Sequence, residues 1–224
     1  MLAYVIFLLT HQSANQKEGY IMPTKLYDKE QILDDCLAVF AKYGYEKTTT
    51  GMLAEAAGIS RALIFHHFKS KKNLYLSLLD RCFEKGSIEM GFDNMLEQQD
   101  FFEAKEMISN IKFKYYKENP DLCRVIMEAF YNTPEELKIE IEARYGEMIN
   151  SRDQVLKQLF NKVPLRDGVD REQAFKLIKI TLDYFENKYL SGLDDDKHLD
   201  ESYLQSFIEE RNNYLSMIRF GIEK

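Results

Sequence analysis

The sequence predicts an all-α protein, and three observations support that prediction. Leu, Ile, Lys and Glu dominate the 224 residues, whereas only ten Gly and four Pro are available for tight turns. Apolar residues recur at steps of three and four along most of the chain, which places them on one face of successive helices. Residues that favour helix ends stand where these periodic segments begin and stop. Together these features predict long helices with short connections.

Composition limits the class of protein further. The hydrophobic fraction of 45% and the charged fraction of 30% are typical of a globular chain. The net charge of −7 is uneven, because residues 22–80 are about neutral with a local lysine cluster and the remainder is acidic. Such a split favours one part that binds a polyanion and one that avoids it. The three cysteines show no C-x-x-C spacing, so we expect buried free thiols in a reducing cytoplasm rather than a zinc ribbon or disulfides.

The first 21 residues differ from the rest, and we treat residues 1–21 as an extension. Met1–Leu9 is apolar but too short to span a bilayer, and it lacks the basic start of a signal peptide. We therefore expect no membrane association. Met22 opens "MPTKLYDKEQIL", which reads like a natural start. The leading hypothesis is that translation begins at Met22, and a genuine upstream extension is the alternative; an intact mass would distinguish them.

Four helices are predicted within residues 28–90. Thr49 or Thr50, Ser60 and Ser70 are suited to cap the last three, because their hydroxyls can accept free backbone N–H groups. Gly44 and Gly58 provide stop signals after the first and second helices. The predicted bounds are 28–43, an N-cap at 49 or 50 through 57, 61–68, and 71 to about 90.

The second and third helices are separated by barely a turn, which is a helix-turn-helix arrangement. On the third helix, Ile64 and Phe68 are spaced for burial together with Ile59. The opposite face is then left free. That face carries Arg61, Ala62, Phe65 and His66, and Lys69, Lys71 and Lys72 follow at the next helix start.

The adjacent pair His66 and His67 does not predict a metal site. Neighbouring helical residues point about 100° apart, and zinc pairs on helices use an i,i+4 spacing with a third ligand. We expect His67 to pack in the bundle and His66 to be exposed. The run "SGLDDDKHLD" lacks the ligand spacing of a calcium loop. We predict neither a metal nor a cofactor.

The stretch "AVFAKYGYEKTTTGMLAEAAGISRALIFHHFKSKKNLYLSLL", residues 38–79, resembles the DNA-binding domain of tetracycline-repressor-like (TetR-family) transcriptional regulators. The shared features are Phe40 and Gly44 at the end of the first helix, a Thr pair opening the second, and "LAEAAGIS". An aromatic-x-His-Phe pattern and Ser-Lys-x-x-Leu follow. The resemblance covers about 50 residues.

This resemblance implies an N-terminal three-helix helix-turn-helix DNA-binding domain, joined by a long helix to a larger helical ligand-binding and dimerisation domain. The implied divisions are residues 22–75 and 76–224. Arg61 is the best candidate to read a guanine edge, with a phosphate contact as the alternative. Thr49 and Lys71 are expected to hold phosphates. The full set of implied DNA contacts is Thr49, Thr50, Ser60, Arg61, Ala62, Leu63, Phe65, His66 and Lys71.

Two residues depart from the family pattern. Phe65 stands where a Tyr is usual, so a hydroxyl contact to phosphate is missing. Leu63 stands where a Thr or Ala is common. Its side chain could touch a thymine methyl or turn inward against Ile59. The DNA sequence that the protein recognises therefore cannot be predicted from the usual contacts of the family.

The acidic remainder is also predicted to be helical. "NPDL", residues 119–122, predicts an N-cap followed by Pro at the first helical position, and "TPEE", residues 133–136, predicts a capping box. Aromatic and Met side chains suit an apolar effector pocket, although ordinary core is the alternative. The candidate ligand residues are Phe113, Tyr116, Met127, Phe130, Tyr131, Tyr145, Met148 and Phe185.

A homodimer is predicted, because two recognition helices must lie about 34–36 Å apart to read successive major grooves. The last two helices form the interface in the resembling family. The candidate interface residues are Phe175, Ile178, Leu182, Leu204, Phe207, Ile208, Leu215 and Ile218. Leu177, Ile180, Tyr184 and Tyr214 would be apolar on a further side of the same helices.

The function predicted from these features is that of a cytoplasmic, ligand-responsive repressor. A homodimer would bind a palindromic operator in double-stranded DNA and be released by an unidentified small molecule; transcriptional activation is a variant. The alternative is a helical ligand- or protein-binding module whose helix-turn-helix surface meets a protein. An enzyme is not predicted, because P-loop, dinucleotide glycine, HExxH and G-x-S-x-G patterns are missing from the sequence.

Overall fold

The computed structural model describes residues 28–90, 100–192 and 200–224, and within these ranges the backbone forms nine α-helices. The extension 1–21 and most of the "SGLDDDKHLD" turn lie outside them. The all-α prediction is confirmed for the described residues, in which a single isolated β-bridge joins Leu165 and Glu223. The helices are α1 (Lys29–Lys47), α2 (Thr50–Ala56), α3 (Arg61–Phe68), α4 (Lys71–Met90), α5 (Phe101–Glu118), α6 (Pro120–Tyr131), α7 (Lys138–Asn161), α8 (Arg171–Ser191) and α9 (Glu201–Ile222).

The N-terminal helices begin where their capping residues predict. The Thr49 hydroxyl accepts the N–H of Met52 at 3.2 Å, and the Ser60 hydroxyl accepts that of Leu63 at 3.2 Å. Ser70 likewise accepts from the third residue after it at 3.0 Å. Because each bond satisfies a donor that the helix itself leaves free, short helices can start at these positions.

Of the two caps predicted in the C-terminal part, Asn119 is the N-cap residue of α6 with Pro120 at the start of the helix, as predicted, whereas the capping box at Thr133 is wrong. The Asn119 side chain does not cap α6; its Nδ2 donates to the carbonyl of Tyr115 at 3.0 Å. The Thr133 hydroxyl donates to the carbonyl of Ala129 at 2.7 Å. The last carbonyls of a helix have no partner within it, and both side chains satisfy carbonyls of the preceding helix instead. After Thr133 a 3-10 turn, Glu135–Leu137, leads into α7.

The buried apolar side chains form two clusters. The larger cluster is continuous from α1–α4 into the helices that follow, with members on both sides of the predicted division between residues 75 and 76. The smaller one joins the start of α5 to the end of α7, the start of α8 and the end of α9. The N-terminal helices therefore share their core with the helical bundle, chiefly where α1 packs on α6.

The three cysteines are buried free thiols, as predicted. Burial raises the pKa of Cys36, Cys82 and Cys123 to about 12 in each case, so each remains a neutral thiol at physiological pH. No helix within the described ranges is long and apolar enough to cross a membrane. In the same part of the chain, no three His, Cys, Asp or Glu side chains are grouped as a metal site would require.

Candidate nucleic-acid interface

One face of α3 is exposed and the other is buried. Ile64 is 0% and Phe68 3% exposed, and α3 packs on α2 and α4. Phe65 is 47% exposed although it is aromatic. The remaining outward residues are Arg61, Ala62 and His66. The predicted division of α3 into an inner and an outer face is confirmed.

The turn before α3 holds this helix against α2. Gly58 has φ +62°, a left-handed conformation that glycine adopts without strain. Its N–H donates to Glu55 O at 3.1 Å, and the N–H of Ile59 donates to Ala54 O at 2.9 Å. Ile59 packs on the core, whereas Leu63 is half-buried and does not belong to the core cluster.

Arg61 lies beside the start of α2. A Cβ atom on Gly51 would come within 2.5 Å of Nη2 of Arg61, so the guanidinium crosses the surface that glycine leaves open. Thr49 is exposed and Thr50 half-buried at the same helix start. A cation and a helix N-terminus thus occupy one edge of the surface, and both attract phosphate oxygens.

The side chain of Lys71, which was predicted to hold a phosphate, forms its hydrogen bonds within the chain. Its Nζ donates to the carbonyls of Tyr45 at 2.9 Å and Thr48 at 3.1 Å, and it lies 4.1 Å from the centre of the Tyr45 ring. Two of its three N–H donors are therefore used within the chain. A third remains for a phosphate oxygen, and that contact stays a prediction.

Lys69 is a basic residue of the surface that was not among the predicted DNA contacts. It is exposed, with φ +67°, and its Nζ donates to His66 O at 3.1 Å. The positive φ turns the chain sharply between α3 and α4. The pattern Ser-Lys-Lys after α3 pointed to a basic cluster but did not tell which lysine faces outward.

The histidine pair is arranged as expected from its spacing. His66 is exposed and His67 is half-buried, with its ring 6.2 Å from that of Phe68. The two imidazoles meet edge to face at 5.4 Å between centres. They are therefore packed against each other rather than pointed at a common ion.

Most of the predicted ligand residues lie in or against the larger core cluster, namely Phe113, Tyr116, Met127, Phe130, Tyr145 and Phe185. Phe113 and Phe185 each contact the ring of Phe207, at 5.1 and 5.7 Å between centres. Phe130 and Tyr145 pack together at 5.6 Å. Tyr116 is buried, Tyr131 and Met148 are exposed, and Met127 lines an open cleft. Met127 is the one of the eight that lines either of the two clefts described next, and contact of these residues with an effector stays a prediction.

Two clefts flank α6. One, of about 310 Å³, lies between α1, α4 and the α5–α6 turn, where Tyr115 and Leu122 line it. The other, of about 690 Å³, lies between the end of α1 and the end of α6, with Met127 and Glu128 in its wall. Burial raises the pKa of Tyr115 to about 12, and the nearby Glu89 adds to the effect.

Arg211 is a buried polar residue that periodicity did not reveal. It is 1% exposed on α9, its Nη2 donates to Asn110 and Asn212 at 3.0 and 2.6 Å, and its guanidinium lies 5.4 Å from the centre of the Phe113 ring. Burial lowers its pKa to about 10, although nearby glutamates act in the opposite direction. The core of the helical domain therefore contains a cation.

The predicted dimer-interface residues lie on the inner side of their helices. Ile178, Leu204, Phe207 and Leu215 are at most 5% exposed within the single chain. Phe175, Leu182, Ile208 and Ile218 pack on the same cores. The exposed apolar side chains of α8 and α9 are instead Leu177, Ile180, Tyr184, Tyr214, Met217 and Phe220, at 46–73% exposure. Ile178, Leu204, Phe207 and Leu215 are therefore core residues of the single chain, whereas an interface role of the partly buried Phe175, Leu182, Ile208 and Ile218 stays a prediction.

Comparisons with known proteins agree with the arrangement of the N-terminal helices. Residues 32–78 match the sequence profile described as bacterial regulatory proteins, tetR family. The HTH-type transcriptional repressor Rv1474c of Mycobacterium tuberculosis is 48% identical over 50 residues, 22% of this chain and 27% of that protein. The chain thus aligns with about a quarter of the length of such repressors.

Longer matches are more distant. The negative transcriptional regulator IcaR of the biofilm operon icaADBC in Staphylococcus epidermidis is 22% identical over 69% of this chain and 80% of its own. A TetR family transcriptional regulator from Chloroflexus aurantiacus superposes with a TM-score of 0.67 at 17% identity, over 91% of this chain and 100% of that one. At this identity the superposition shows a shared fold.

Proposed function

We propose that this chain, a TetR-family regulator by its residues 32–78 and its fold, is a ligand-responsive, DNA-binding transcriptional repressor that acts in the cytoplasm. The observation that supports the proposal best is the exposed face of α3. A helix capped by Ser60 and anchored through Ile64 and Phe68 presents Arg61, Phe65 and His66 outward. A major groove admits an α-helix presented in this way.

The proposed contacts divide by chemistry. The start of α2, with Thr49 and Thr50, and the third donor of Lys71 would hold phosphates and fix the orientation of α3. Arg61, Ala62, Leu63, Phe65 and His66 would face base edges. Leu63, which is outside the core cluster, is suited to a thymine methyl group.

The proposed active form is a homodimer on a palindromic operator. Leu177, Ile180 and Tyr184 are exposed on α8, and α8 packs on α9, which exposes Tyr214, Met217 and Phe220. Covering this apolar face with a second copy would remove it from water. A twofold axis there would also present two α3 helices to successive turns of DNA.

Repression would be relieved by an unidentified small molecule bound in the helical domain. Such an effector acts only if it binds one conformer of the protein more tightly than another. The conformer it favours would hold the two α3 helices at a separation that does not match the operator. The proposal assigns no catalytic activity to the chain.

The test is binding of the purified protein to the DNA that flanks its own coding sequence, titrated with salt and with random competitor, followed by footprinting. We expect a protected palindrome with half-sites one helical turn or a multiple apart. Affinity should fall steeply with salt, because bound Lys and Arg release counterions from phosphates. Weak, salt-insensitive or sequence-independent retention on this DNA and on a genomic fragment library would contradict the proposal.

A matched pair of variants assigns the binding to α3. Phe65→Asp introduces a negative charge on the exposed face of α3, and Val155→Asp introduces the same charge on α7, where the side chain is 37% exposed. The first should abolish the footprint through repulsion from phosphates, whereas the second should preserve it. Equal effects of both variants would show that α3 is not the contact surface.

A further inference from the structure

Glu128, on α6, joins the helical domain to the N-terminal helices through hydrogen bonds. Its Oε1 and Oε2 accept the backbone N–H of Tyr45 at 2.8 and 3.1 Å. Its Oε2 also accepts the hydroxyl of Tyr75, on α4, at 3.0 Å. One carboxylate therefore holds both the end of α1 and the N-terminal part of α4. Hydrogen bonds to a charged group are stronger than those between neutral groups.

The backbone of α1 is shaped to receive this carboxylate. Gly44 interrupts the helix with φ +72° and ψ 168°, a region open essentially to glycine alone. This conformation turns the N–H of Tyr45 out of the helical pattern, so it can point at α6. A Cβ atom on Gly44 would lie 2.7 Å from Oε1 of Glu128, so the close approach requires a residue without a side chain.

The same peptide segment is held from its other side. The carbonyl of Tyr45 accepts Nζ of Lys71, the first residue of α4, at 2.9 Å. The Thr48 hydroxyl donates to the carbonyl of Gly44 at 2.6 Å. Since Thr49 then caps α2, the segment from Gly44 to Thr49 connects α6 directly to the helix-turn-helix. We call this set, Gly44, Tyr45, Lys71, Tyr75 and Glu128, the Glu128 joint.

Glu128 lies at the end of α6 that meets α1 and α4. α6 has twelve residues, a rod about 18 Å long, and Glu128 lies near its C-terminal end. Its N-terminal end, at Pro120, borders the cleft between α1, α4 and the α5–α6 turn.

From this geometry we propose that Glu128 is a positioning residue that fixes the orientation of the helix-turn-helix relative to the helical domain through the Glu128 joint. The proposal rests on the proposed function as a DNA-binding regulator. It adds the residue through which the two parts of the molecule are coupled. In a dimer, the orientation set at each joint determines the separation of the two α3 helices.

The experiment compares operator binding by wild type, Glu128→Ala and Glu135→Ala. Glu135 lines the cleft at the end of α6 that Glu128 also lines. Its side chain is 85% exposed, and among the described residues it forms an ion pair only with the nearby Lys138. The control thus removes the same charge without altering the joint. Each protein is titrated with the operator and with copies whose half-sites are moved one base pair closer or further apart.

We expect Glu128→Ala to weaken binding to the native operator about tenfold, which is the size of a typical coupling between sites. The variant should also lose most of the preference for the native half-site spacing. Glu135→Ala should retain both. The spacing preference is a ratio measured on one variant, so a smaller folded fraction does not change it. Tyr75→Phe, which removes one donor from the carboxylate, should shift the preference in the same direction by a smaller factor.

Retention of wild-type affinity and spacing preference by Glu128→Ala would overturn the inference while leaving the proposed function intact. A loss of affinity with an unchanged spacing preference would also overturn it, since that result shows a role in folding alone. If the wild-type protein binds no operator under any condition, it is the proposed function that fails.

Discussion

At the residue scale, Arg61 is the side chain that we propose reads a base edge of the operator. Its guanidinium lies over Gly51 at the start of α2, within reach of a phosphate held there as well as of a groove. A bidentate contact to guanine would carry sequence information, whereas a phosphate contact would not. Substitution of Arg61 would lower the affinity for random DNA if Arg61 contacts a phosphate, but not if it contacts a base.

We expect Arg61→Ala to weaken operator binding by roughly 1–3 kcal/mol and to leave binding to random DNA nearly unchanged, because a lost base contact affects only the matching sequence. Fluorescence anisotropy with operator and scrambled duplexes measures both. Lys176→Ala is the control, since it removes one positive charge from an exposed site on α8. Equal losses on both duplexes would assign Arg61 to a phosphate.

Tyr75 makes a second prediction at this scale. It is 0% exposed, and burial together with the negative charge of Glu128 raises the pKa of its phenol well above the ordinary value of 10. The folded chain therefore keeps a proton that the unfolded chain releases near pH 10. Stability is fully present below pH 10 and falls as pH rises above it.

The measurement is urea unfolding between pH 8 and 11 for wild type and Tyr75→Phe. Above pH 10 the free energy of unfolding of wild type should fall more steeply, by about 1.4 kcal/mol per pH unit for the one proton involved. Parallel slopes for the two proteins would show that Tyr75 titrates normally in the folded state.

At the element scale, the break in α1 illustrates how one residue joins two helical units. The sequence placed the end of the first helix at Gly44, and the structure shows a change of direction there followed by one more turn to Lys47. The break leaves the N–H of Tyr45 free of the helical pattern of α1, and this N–H donates to Glu128 on α6.

We expect Gly44→Ala to lower the free energy of unfolding by about 1–3 kcal/mol, because an alanine there must adopt a backbone conformation that excludes side chains. Gly221→Ala is the matched control: its Cβ would meet nothing within 4 Å in α9. There the same change should be neutral or stabilising by up to about 1 kcal/mol. Chemical denaturation of both variants tests this, and equal effects would mean that Gly44 is not strained.

At the scale of the whole molecule, α8 and α9 each have two apolar sides. One side is buried in the chain through Ile178, Phe207 and Leu215. The other side exposes Leu177, Ile180 and Tyr184 to water, together with residues of α9. An exposed apolar patch of this kind is a mark of a contact surface.

We expect Ile180→Glu to convert the protein from dimer to monomer, because a carboxylate buried at a twofold contact would have no partner. Sedimentation velocity at micromolar concentration in the absence of DNA gives the mass. Ile139→Glu is the control, since Ile139 is 82% exposed on α7 and outside this face. A wild-type protein that sediments only as a monomer would contradict the proposed dimer.

The sequence by itself determined the helices of residues 28–90, the caps at Thr49, Ser60 and Ser70, and the outward face of α3. These features are local: apolar spacing selects the buried face, and a hydroxyl three residues before a free N–H selects the start of a helix. The same local signals placed Asn119 correctly at the start of α6. The side chains of Asn119 and Thr133, however, bond carbonyls of the preceding helix instead of capping the next one.

Only the tertiary structure decided which apolar face of α8 and α9 remains exposed, where the ammonium of Lys71 points, and what Glu128 does. Each depends on a partner distant in sequence: Glu128 bonds Tyr45 across 83 positions, and Lys71 bonds Tyr45 across 26. Periodicity reports that a residue is apolar or charged along its own helix. It does not report which other helix arrives there, and that contact assigns the residue its role.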